Sequence, residues 1–285
     1  MKKVLVAGAT GYLGYYVVQE LKKRNYWVRV LIRKEKQKEK FKNINVDEFF
    51  VGEVTKSKTV KDVTKGIDWV FTSIGITRQK DGLTYMDVDY QGNLNLLKDA
   101  ENNQVKLFQY VSVFGAEKVP KLKIIQAKVK FVEALKKSTI NYSIIRPTGY
   151  FGDLKEVLQM AKKGKIYLIG TGDYKINPIS GQDLATVCVD SLENGKEIVN
   201  VGGPKVYTQN EIGKIAFEAL NIKGKIKHIP LWIRDSIVFL LRTFTSSKFY
   251  GPFEFFLTAM TIDENTDQYG KDLLEDYYKQ EAKNI

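Results

Sequence analysis

The 285-residue chain has one cysteine, Cys188, and one histidine, His228. A single cysteine excludes a disulfide framework and any metal site built on paired cysteines. A single histidine excludes a multi-histidine metal centre, and it excludes a serine–histidine relay unless His228 itself takes part. Cys188 lies in a helical pattern of apolar residues, so we predict that it is buried and inert. For His228 we expect a structural role.

Long apolar runs are also scarce. Two lysines precede the apolar residues 4–7, but this run is far shorter than the roughly 7 to 15 residues of a signal-peptide core, so we predict a first strand there. Residues 229–260 are rich in aromatic and aliphatic side chains, yet charges interrupt them before the roughly 18 apolar residues of a membrane-spanning helix are reached. We predict a buried C-terminal helix lining a pocket, with a surface-seeking or partner-docking segment as the alternative.

Acidic residues are outnumbered, with 33 Asp and Glu against 45 Lys and Arg and a formal net charge of +12. Such an excess favours polyanions or anionic membranes as partners. The excess is local, however, and is concentrated in residues 33–42 and 117–137. No motif that interleaves basic and aromatic residues accompanies these clusters, so we interpret them as lysine-rich solvent-exposed surface and expect no nucleic-acid partner.

Short β-branched or aromatic runs alternate with helix-period segments through the first half of the chain. Leu13, Val17 and Leu21, for example, recur at the spacing of one helix face. The predicted strands are residues 4–7, 27–32, 48–51, 69–73, 107–112, 142–146, 166–169 and 198–201. Repeated β-α-β units with continuously hydrophobic strands predict a doubly wound α/β fold, a parallel Rossmann sheet covered on both faces.

The pattern loosens after Pro147 into shorter helices and Gly/Pro turns. We therefore predict a dinucleotide-binding domain over residues 1–150. A smaller C-terminal α+β substrate-binding region, interleaved with the first domain, is predicted over residues 151–285. Within it, Thr208 and Glu211 form a capping-box signature, which predicts a helix start.

The strongest motif is a glycine loop, Gly8-Ala9-Thr10-Gly11-Tyr12-Leu13-Gly14. It lies directly after the first predicted strand and opens the first predicted helix. Glycines there let backbone amides approach a pyrophosphate, and the helix N-terminus adds partial positive charge. We expect a dinucleotide to contact Gly8, Thr10, Gly11, Tyr12, Leu13 and Gly14.

The second predicted strand ends in Arg33 and Lys34. A site that prefers NAD usually has an acid at this end, which holds the ribose 2′-hydroxyl, whereas a guanidinium can pair with a 2′-phosphate. We therefore expect NADP(H), with Arg33 as the specificity residue, and consider NAD less favoured. The lysines of residues 36–42 are interpreted as a solvated run.

These features resemble the atypical short-chain dehydrogenase/reductases, and among them the NmrA-like and isoflavone-reductase-like groups. The likeness covers nearly the whole chain and includes residues 88–93, 146–151 and 177–185. It implies that Glu53 and Val54 flank adenine and that residues 73–75 contact the sugars. This last segment comprises Ser73, Ile74 and Gly75. The resemblance also implies that Ser112 and Lys128 face the nicotinamide.

One departure from the family pattern concerns the Tyr-x-x-x-Lys pair, in which the lysine lowers the pKa of the tyrosine and the phenol transfers the substrate proton. Ile124 stands four residues before Lys128, where the family has tyrosine. The resemblance thus implies a ribose-binding half without the proton-transfer half, and leaves Lys128 and Ser112 as catalytic candidates. Tyr150 could supply a phenol, but we favour core packing for it.

Three functions follow from these residues. The first is an NADPH-dependent reductase that transfers hydride to an apolar, conjugated or quinone-like substrate. The second is a non-catalytic NADP(H)-sensing regulator or an assembly or accessory protein, and the third is a peripheral membrane or nucleic-acid binder. A small apolar substrate or ligand is expected, while a membrane contact and a protein partner stay open. Low cysteine content and the absence of a signal favour a cytoplasmic location, with membrane association as an open alternative.

Overall fold

A computed structural model describes residues 1–77, 79 and 82–284. The strands are β1 (Lys3–Ala7), β2 (Trp27–Ile32), β3 (Glu48–Val51), β4 (Trp69–Thr72), β5 (Leu107–Val111), β6 (Asn141–Pro147), β7 (Lys165–Ile169), β8 (Lys175–Ile176), β9 (Ile198–Val201), β10 (Tyr207–Thr208) and β11 (Lys225–Ile229). The α-helices are α1 (Tyr12–Lys23), α2 (Asn93–Asn102), α3 (Lys123–Lys136), α4 (Lys155–Lys162), α5 (Gly181–Asn194), α6 (Gln209–Ala219), α7 (Leu231–Phe244), α8 (Ser247–Ala259) and α9 (Leu274–Ala282).

The central sheet has seven parallel strands in the order β3-β2-β1-β4-β5-β6-β9. From β1 the chain passes to β2 on one side and later to β4 on the other, so the topology switches direction between β1 and β4. Ligands of open α/β sheets bind at such a switch point, outside the carboxyl ends of the strands. The prediction of a doubly wound Rossmann sheet is confirmed.

Apolar side chains cover both faces of this sheet. On one face α1 contributes Leu13, Val17 and Leu21 to a core that also includes residues of α5. On the other face α2 and α3 pack over residues of β1, β4 and β5. All five residues of β5 are buried, which explains why the central strands are hydrophobic without alternation.

The predicted strands agree with the observed ones to within one residue at each end. The two predictions 69–73 and 107–112 run one residue too far, because β4 ends at Thr72 and β5 at Val111. Ser73 and Ser112 therefore lie just beyond their strands, at the carboxyl edge of the sheet.

The second half of the chain forms a further apolar cluster among α4, α6 and α9, and it contributes β9 to the central sheet. The capping box is confirmed: Glu211 N donates to Thr208 Oγ1 at 3.2 Å and Thr208 N donates to Glu211 Oε2 at 2.7 Å. Cys188 is fully buried, as predicted. His228 is exposed, and its Nε2 lies 2.9 Å from Asn210 Oδ1, a contact between β11 and α6.

The prediction of a buried C-terminal helix is wrong. No residue of α7 is buried, and Trp232 and Phe239 are each 68% exposed. The helix packs beside α8, where Arg242 of α7 pairs with the buried Glu254. The apolar spacing of a helix does not reveal whether another element of the same chain covers it. In the part of the chain that the structure describes, no helix is both long enough and apolar enough to cross a membrane.

Candidate active site

The glycine loop joins β1 to α1 at the carboxyl edge of the sheet. Gly11 N donates to Gly8 O at 2.9 Å, and Gly11 occupies the N-cap of α1, whose first turn carries neither an acidic residue nor a side-chain cap in the structure described. A Cβ at Gly14 would lie 2.3 Å from the Gly8 carbonyl oxygen. The helix therefore approaches the strand end as closely as only glycine permits. Its free amides form a cradle that fits a pyrophosphate.

The side chains within this loop are held by protein contacts. Leu13 is 4% exposed and belongs to the core, so only its backbone is available at the loop. Tyr12 accepts a hydrogen bond from Gly181 N at 3.1 Å, and its ring centroid lies 5.9 Å from that of Tyr150. Burial raises the pKa of Tyr12 to about 12. Tyr12 thus ties the glycine loop to α5 and keeps its proton.

Arg33 lies one residue beyond β2, and its side chain is exposed. The Gln37 side chain accepts hydrogen bonds from the backbone amides of Arg33, at 2.8 Å, and Lys34, at 3.0 Å. Lys40 Nζ reaches across to donate to Thr10 O at 2.6 Å. Lys40 is solvent-exposed, as the interpretation of residues 36–42 as a solvated run predicts, but it also contacts the glycine loop.

Glu53 and Val54 follow β3 at the same edge of the sheet. Val54 is 6% exposed and packs into the core, and its carbonyl accepts from Asn95 Nδ2 at 2.7 Å. Glu53 N donates to Thr59 Oγ1 at 2.8 Å, and the Glu53 carboxylate accepts from Thr55 Oγ1 at 3.4 Å. These bonds fix the backbone at a position where an adenine could lie.

Residues 73–75 follow β4 and are held by the buried Asn93. Its Oδ1 accepts from Thr72 Oγ1 at 2.8 Å, and its Nδ2 donates to Ile74 O at 3.1 Å. Ser73 lies beside the glycine loop, since a Cβ built on Gly8 would be 2.8 Å from Ser73 Oγ. Asn93 therefore positions the loop after β4 next to the loop after β1.

Lys128 enters the site from α3 and pairs with a buried carboxylate. Its Nζ lies 2.9 Å from Asp89 Oδ1, and Asp89 Oδ2 accepts from Ile76 N at 3.1 Å. Asp89 is fully buried and the Lys128 side chain is 15% exposed. A Cβ on Gly75 would lie 2.6 Å from Asp89 Oδ1 and 2.9 Å from Lys128 Nζ. Only a glycine at position 75 lets the loop backbone come this close to the ion pair.

The electrostatics of this pair keep Lys128 charged. Burial by itself would lower the pKa of Lys128, but the adjacent Asp89 carboxylate outweighs it, so the pKa lies above the ordinary value for lysine. The Tyr110 ring centroid is 5.8 Å from Lys128 Nζ, and burial raises the pKa of Tyr110 to about 12. Lys128 is therefore a fixed positive charge at the carboxyl edge of the sheet.

Ser112 lies two residues after Tyr110 and is 8% exposed. Its backbone amide donates to Ile145 O at 2.8 Å, which extends the β5–β6 ladder by one residue. Side chains two positions apart on a strand point to the same face, so Ser112 shares the face on which Tyr110 meets Lys128.

Ile124 lies one turn before Lys128 on α3 and is 5% exposed. It belongs to an apolar cluster that includes Tyr85, Leu122 and, from α8, Phe255. The position at which the resemblance implies a tyrosine is therefore part of an apolar wall. Tyr150 packs against the core, and burial raises its pKa above the ordinary value for tyrosine, so it holds its proton.

Sequence reasoning missed three residues that shape the site: Asp89, Asn93 and Lys40. Asp89 and Asn93 are four residues apart, and Asn93 Nδ2 donates to Asp89 O at 2.9 Å. Two polar residues four positions apart lie on one face of a helix, so their spacing in residues 88–93 could have predicted that they act together. Lys40 carried no such signal, because it looks like every other lysine of its run.

The sheet order, the glycine loop at the switch point and the lysine opposite the loop after β4 define a Rossmann protein of the NAD(P)-binding class. A family model described as NAD(P)H-binding matches residues 8–195. The chain belongs to this family.

Three comparisons refine this assignment. The chain is 30% identical to divinyl chlorophyllide a 8-vinyl-reductase of Arabidopsis thaliana, over 96% of this chain and 75% of that protein. It is 26% identical to photosystem II assembly factor Ycf39 of Trieres chinensis, over 81% and 73%. An NADPH-dependent quinone oxidoreductase of Escherichia coli, solved with NADPH, shares the fold with a TM-score of 0.77 and 16% identity, over 98% and 99%. The resemblance to atypical short-chain dehydrogenase/reductases is confirmed.

Proposed function

We propose that the protein is an NADPH-dependent reductase that delivers hydride to a conjugated carbon–carbon double bond, or to a quinone, of an apolar substrate. The observation that carries this proposal is the Lys128–Asp89 pair beside Gly75, with Ile124 at the position of the usual phenol. The lysine of the family pair is retained as Lys128. The tyrosine that would protonate a carbonyl oxygen is replaced by the apolar Ile124.

The residues present fit a dinucleotide. The glycine cradle, from Gly8 to Gly14, would hold the pyrophosphate, and Glu53 and Val54 would border the adenine. Ser73 to Gly75 and Lys128 would hold the sugars and the nicotinamide end. When bound, the nicotinamide would supply the hydride.

Arg33 and Lys40 support a preference for the 2′-phosphate of NADP(H). Arg33 is exposed at the end of β2, where it is free to pair with a phosphate, and Lys40 is anchored to Thr10 O in the neighbouring loop. A planar guanidinium pairs well with phosphate, and a second cation strengthens the same field.

Reduction of a double bond suits the charges of this site better than reduction of a carbonyl. Carbonyl reduction leaves an alkoxide that needs a nearby acid, whereas a conjugated system spreads the negative charge and takes its proton from water. The raised pKa of Lys128 suits a fixed cation that stabilises this charge, rather than a proton donor. Divinyl chlorophyllide a 8-vinyl-reductase of Arabidopsis thaliana, a relative of this chain, is by its name a reductase of a vinyl group.

The substrate would lie against the apolar wall that holds Ile124. Tyr85, Leu122 and Phe255 contribute to this cluster, and α8 packs against α3 beside it. A flat apolar molecule could therefore rest on the wall with its reactive carbon toward Lys128. This arrangement supports vinyl-bearing conjugated rings and quinones as the substrate class.

The direct test is NADPH oxidation by the purified full chain over a panel of vinyl-bearing tetrapyrroles, quinones, enones and aldehydes. We expect turnover with the first two groups and little with aldehydes. Lys128→Met should abolish it, while Lys130→Ala, an exposed lysine of the same helix, should leave it unchanged. Aldehyde reduction as the dominant activity would contradict the proposal.

Cofactor preference is tested by titrating NADPH and NADH into the protein. Loss of a charge-assisted phosphate contact of about 1.5–3 kcal/mol corresponds to roughly 10- to 100-fold weaker NADPH binding for Arg33→Ala. NADH binding should not change. Lys40→Ala should weaken NADPH binding less, and Lys36→Ala, in the same run, should have no effect. Equal affinity for both nucleotides in the wild type would contradict the assignment.

A second candidate is an accessory or assembly protein that binds NADP(H) without turning it over. The similarity to the assembly factor Ycf39 and the loss of the phenol at Ile124 favour it. Tight NADPH binding with no oxidation over the whole panel would identify this function. We place either function in a reducing compartment such as the cytoplasm, because the single cysteine, Cys188, is buried and unpaired.

A further inference from the structure

The helical hairpin of α7 and α8, residues 231–259, exposes apolar side chains to an unusual degree. On α7, Trp232 and Phe239 are each 68% exposed and Phe244 is 78% exposed. On α8, Phe249 and Phe253 are 54% and 51% exposed, and their ring centroids are 5.4 Å apart. Contiguous exposed apolar surface of this kind marks a binding surface for a partner protein or a membrane.

The cationic side chains of the hairpin have partners within the protein. Arg242 pairs with Glu254, which is buried between the two helices, and Arg234 donates to Thr261 Oγ1 at 2.5 Å. Lys248 Nζ donates to Gly82 O at 2.7 Å, in the segment between β4 and α2. The three cationic side chains of the hairpin are thus paired within the protein, Asp235 is the exposed charge at 65%, and the aromatic residues point outward.

A basic ribbon leads directly into this hairpin. It consists of β7 and β11, which pair in parallel with Lys225 opposite Lys165 and Lys227 opposite Tyr167. The three lysines are exposed, Tyr167 is 44% exposed, and neither strand contains an acidic residue. The ribbon ends at Ile229, two residues before α7 begins.

This combination indicates the chemistry of the partner. Lysine is depleted at protein–protein interfaces, whereas lysine flanking Trp, Phe and Leu is typical of segments that lie in the headgroup region of a bilayer. Anionic lipid headgroups attract basic residues near the surface, and the acyl boundary accepts the aromatic side chains. Charge complementarity therefore favours an anionic lipid surface over a protein.

We propose that the α7–α8 hairpin docks on an anionic lipid bilayer, with its aromatic side chains in the interface and the basic ribbon against the headgroups. The same hairpin contacts the active-site wall: Phe255 packs in the cluster of Ile124, and a Cβ on Gly251 would lie 3.1 Å from the Tyr85 ring. The docked face is thus continuous with the apolar wall of the site. Docking itself is independent of reductase activity.

The test is co-sedimentation of the full chain with vesicles of phosphatidylcholine, either alone or mixed with phosphatidylglycerol. We expect binding to the mixed vesicles that weakens as salt is raised, and little binding to the neutral ones. Emission of Trp232 should shift to the blue on binding, and Trp232→Phe should remove that shift.

Two sets of variants separate the apolar and the charged contributions. Trp232→Ser combined with Phe239→Ser should abolish vesicle binding. Lys225→Ala combined with Lys227→Ala should weaken it roughly 30-fold, from about 1 kcal/mol per lysine near an anionic surface. A control pair, Lys58→Ala with Lys61→Ala, removes two exposed lysines elsewhere and should change nothing. Circular dichroism and NADPH binding should be unaltered in every variant.

Two outcomes would overturn the proposal. Absence of binding to the mixed vesicles at low salt would do so, as would binding that the serine variants leave intact. Concentration-dependent self-association that the serine variants abolish, without vesicle binding, would identify the hairpin as a protein interface instead. Loss of turnover together with intact vesicle binding would count against the proposed reductase function only.

Discussion

Helices α1 and α7 have similar lengths, 12 and 14 residues, but they use their apolar side chains in opposite ways. Leu21 of α1 is fully buried beneath α5, whereas Leu240 of α7 is 52% exposed. Both helices have an apolar face in sequence. The comparison shows that an apolar helix face predicts that something packs against it. Whether the partner is another element of the same protein depends on the neighbouring elements.

The same contrast applies to ion pairs. Lys128 and Asp89 form a pair shielded from solvent between α3 and the segment before α2, while Arg234 and Asp235 form a pair on α7 whose aspartate is 65% exposed. Removing one partner from a buried pair leaves an uncompensated charge, but an exposed pair contributes little. Substitutions in the Lys128–Asp89 pair should therefore affect stability strongly, whereas substitutions in the Arg234–Asp235 pair should not.

The largest effect is expected for Lys128→Met, which leaves the buried Asp89 carboxyl group without its cation. The free energy of unfolding should fall by about 3–5 kcal/mol, as measured by urea denaturation. Asp235→Asn, the matched change in the hairpin, should alter it by less than about 0.5 kcal/mol. Lys128→Met combined with Asp89→Asn should recover most of the loss. Equal effects in the two pairs would break the comparison.

A smaller effect is expected from deletion of apolar contacts. Leu21→Ala should lower the free energy of unfolding by about 3 kcal/mol, because it opens a cavity in a close-packed core. Leu240→Ala should change it by less than about 0.5 kcal/mol, because that side chain is largely in water. The two urea transitions provide the measurement, and a loss at Leu240 as large as that at Leu21 would show that the hairpin face is covered in solution.

A pH effect on the free energy of unfolding is expected from Glu264, which follows the hairpin. Burial raises the pKa of Glu264 to about 7, against the opposing charge of Lys118. A carboxyl group whose pKa is raised by folding stabilises the folded state at low pH, so this contribution is lost as the pH rises from about 4.5 through 7. The free energy of unfolding should fall by about 2–3 kcal/mol over that range.

Glu264→Gln tests this pH effect. The substitution should reduce the pH dependence of unfolding between pH 4.5 and 7 and leave the part due to Asp153, because burial raises the pKa of Asp153 to about 6. Glu117→Gln, at an exposed position, should leave the dependence as it is in the wild type. A slope that Glu264→Gln leaves unchanged would assign the effect to another group.

Much of the fold could be predicted from the sequence, because buried parallel strands are nearly continuous in apolar residues and a glycine loop marks the first strand-to-helix turn. The site was partly predictable: the glycine loop and Lys128 carry recognisable spacings. Asp89 was not assigned a role, since its importance depends on α3 delivering a lysine 2.9 Å away. The exposure of α7 was missed because burial is a property of packing, which the spacing of apolar residues does not encode.

The central claim is that hydride passes from NADPH to carbon in this site, and isotope transfer tests it most directly. The full chain would be given NADPH deuterated at C4 of the nicotinamide, with a vinyl-bearing tetrapyrrole as acceptor, and the product analysed by mass spectrometry. We predict one deuterium on one carbon of the former double bond and a solvent-derived hydrogen on the other, with no transfer by Lys128→Met. A reduced product without deuterium from either face of the nicotinamide would contradict this account.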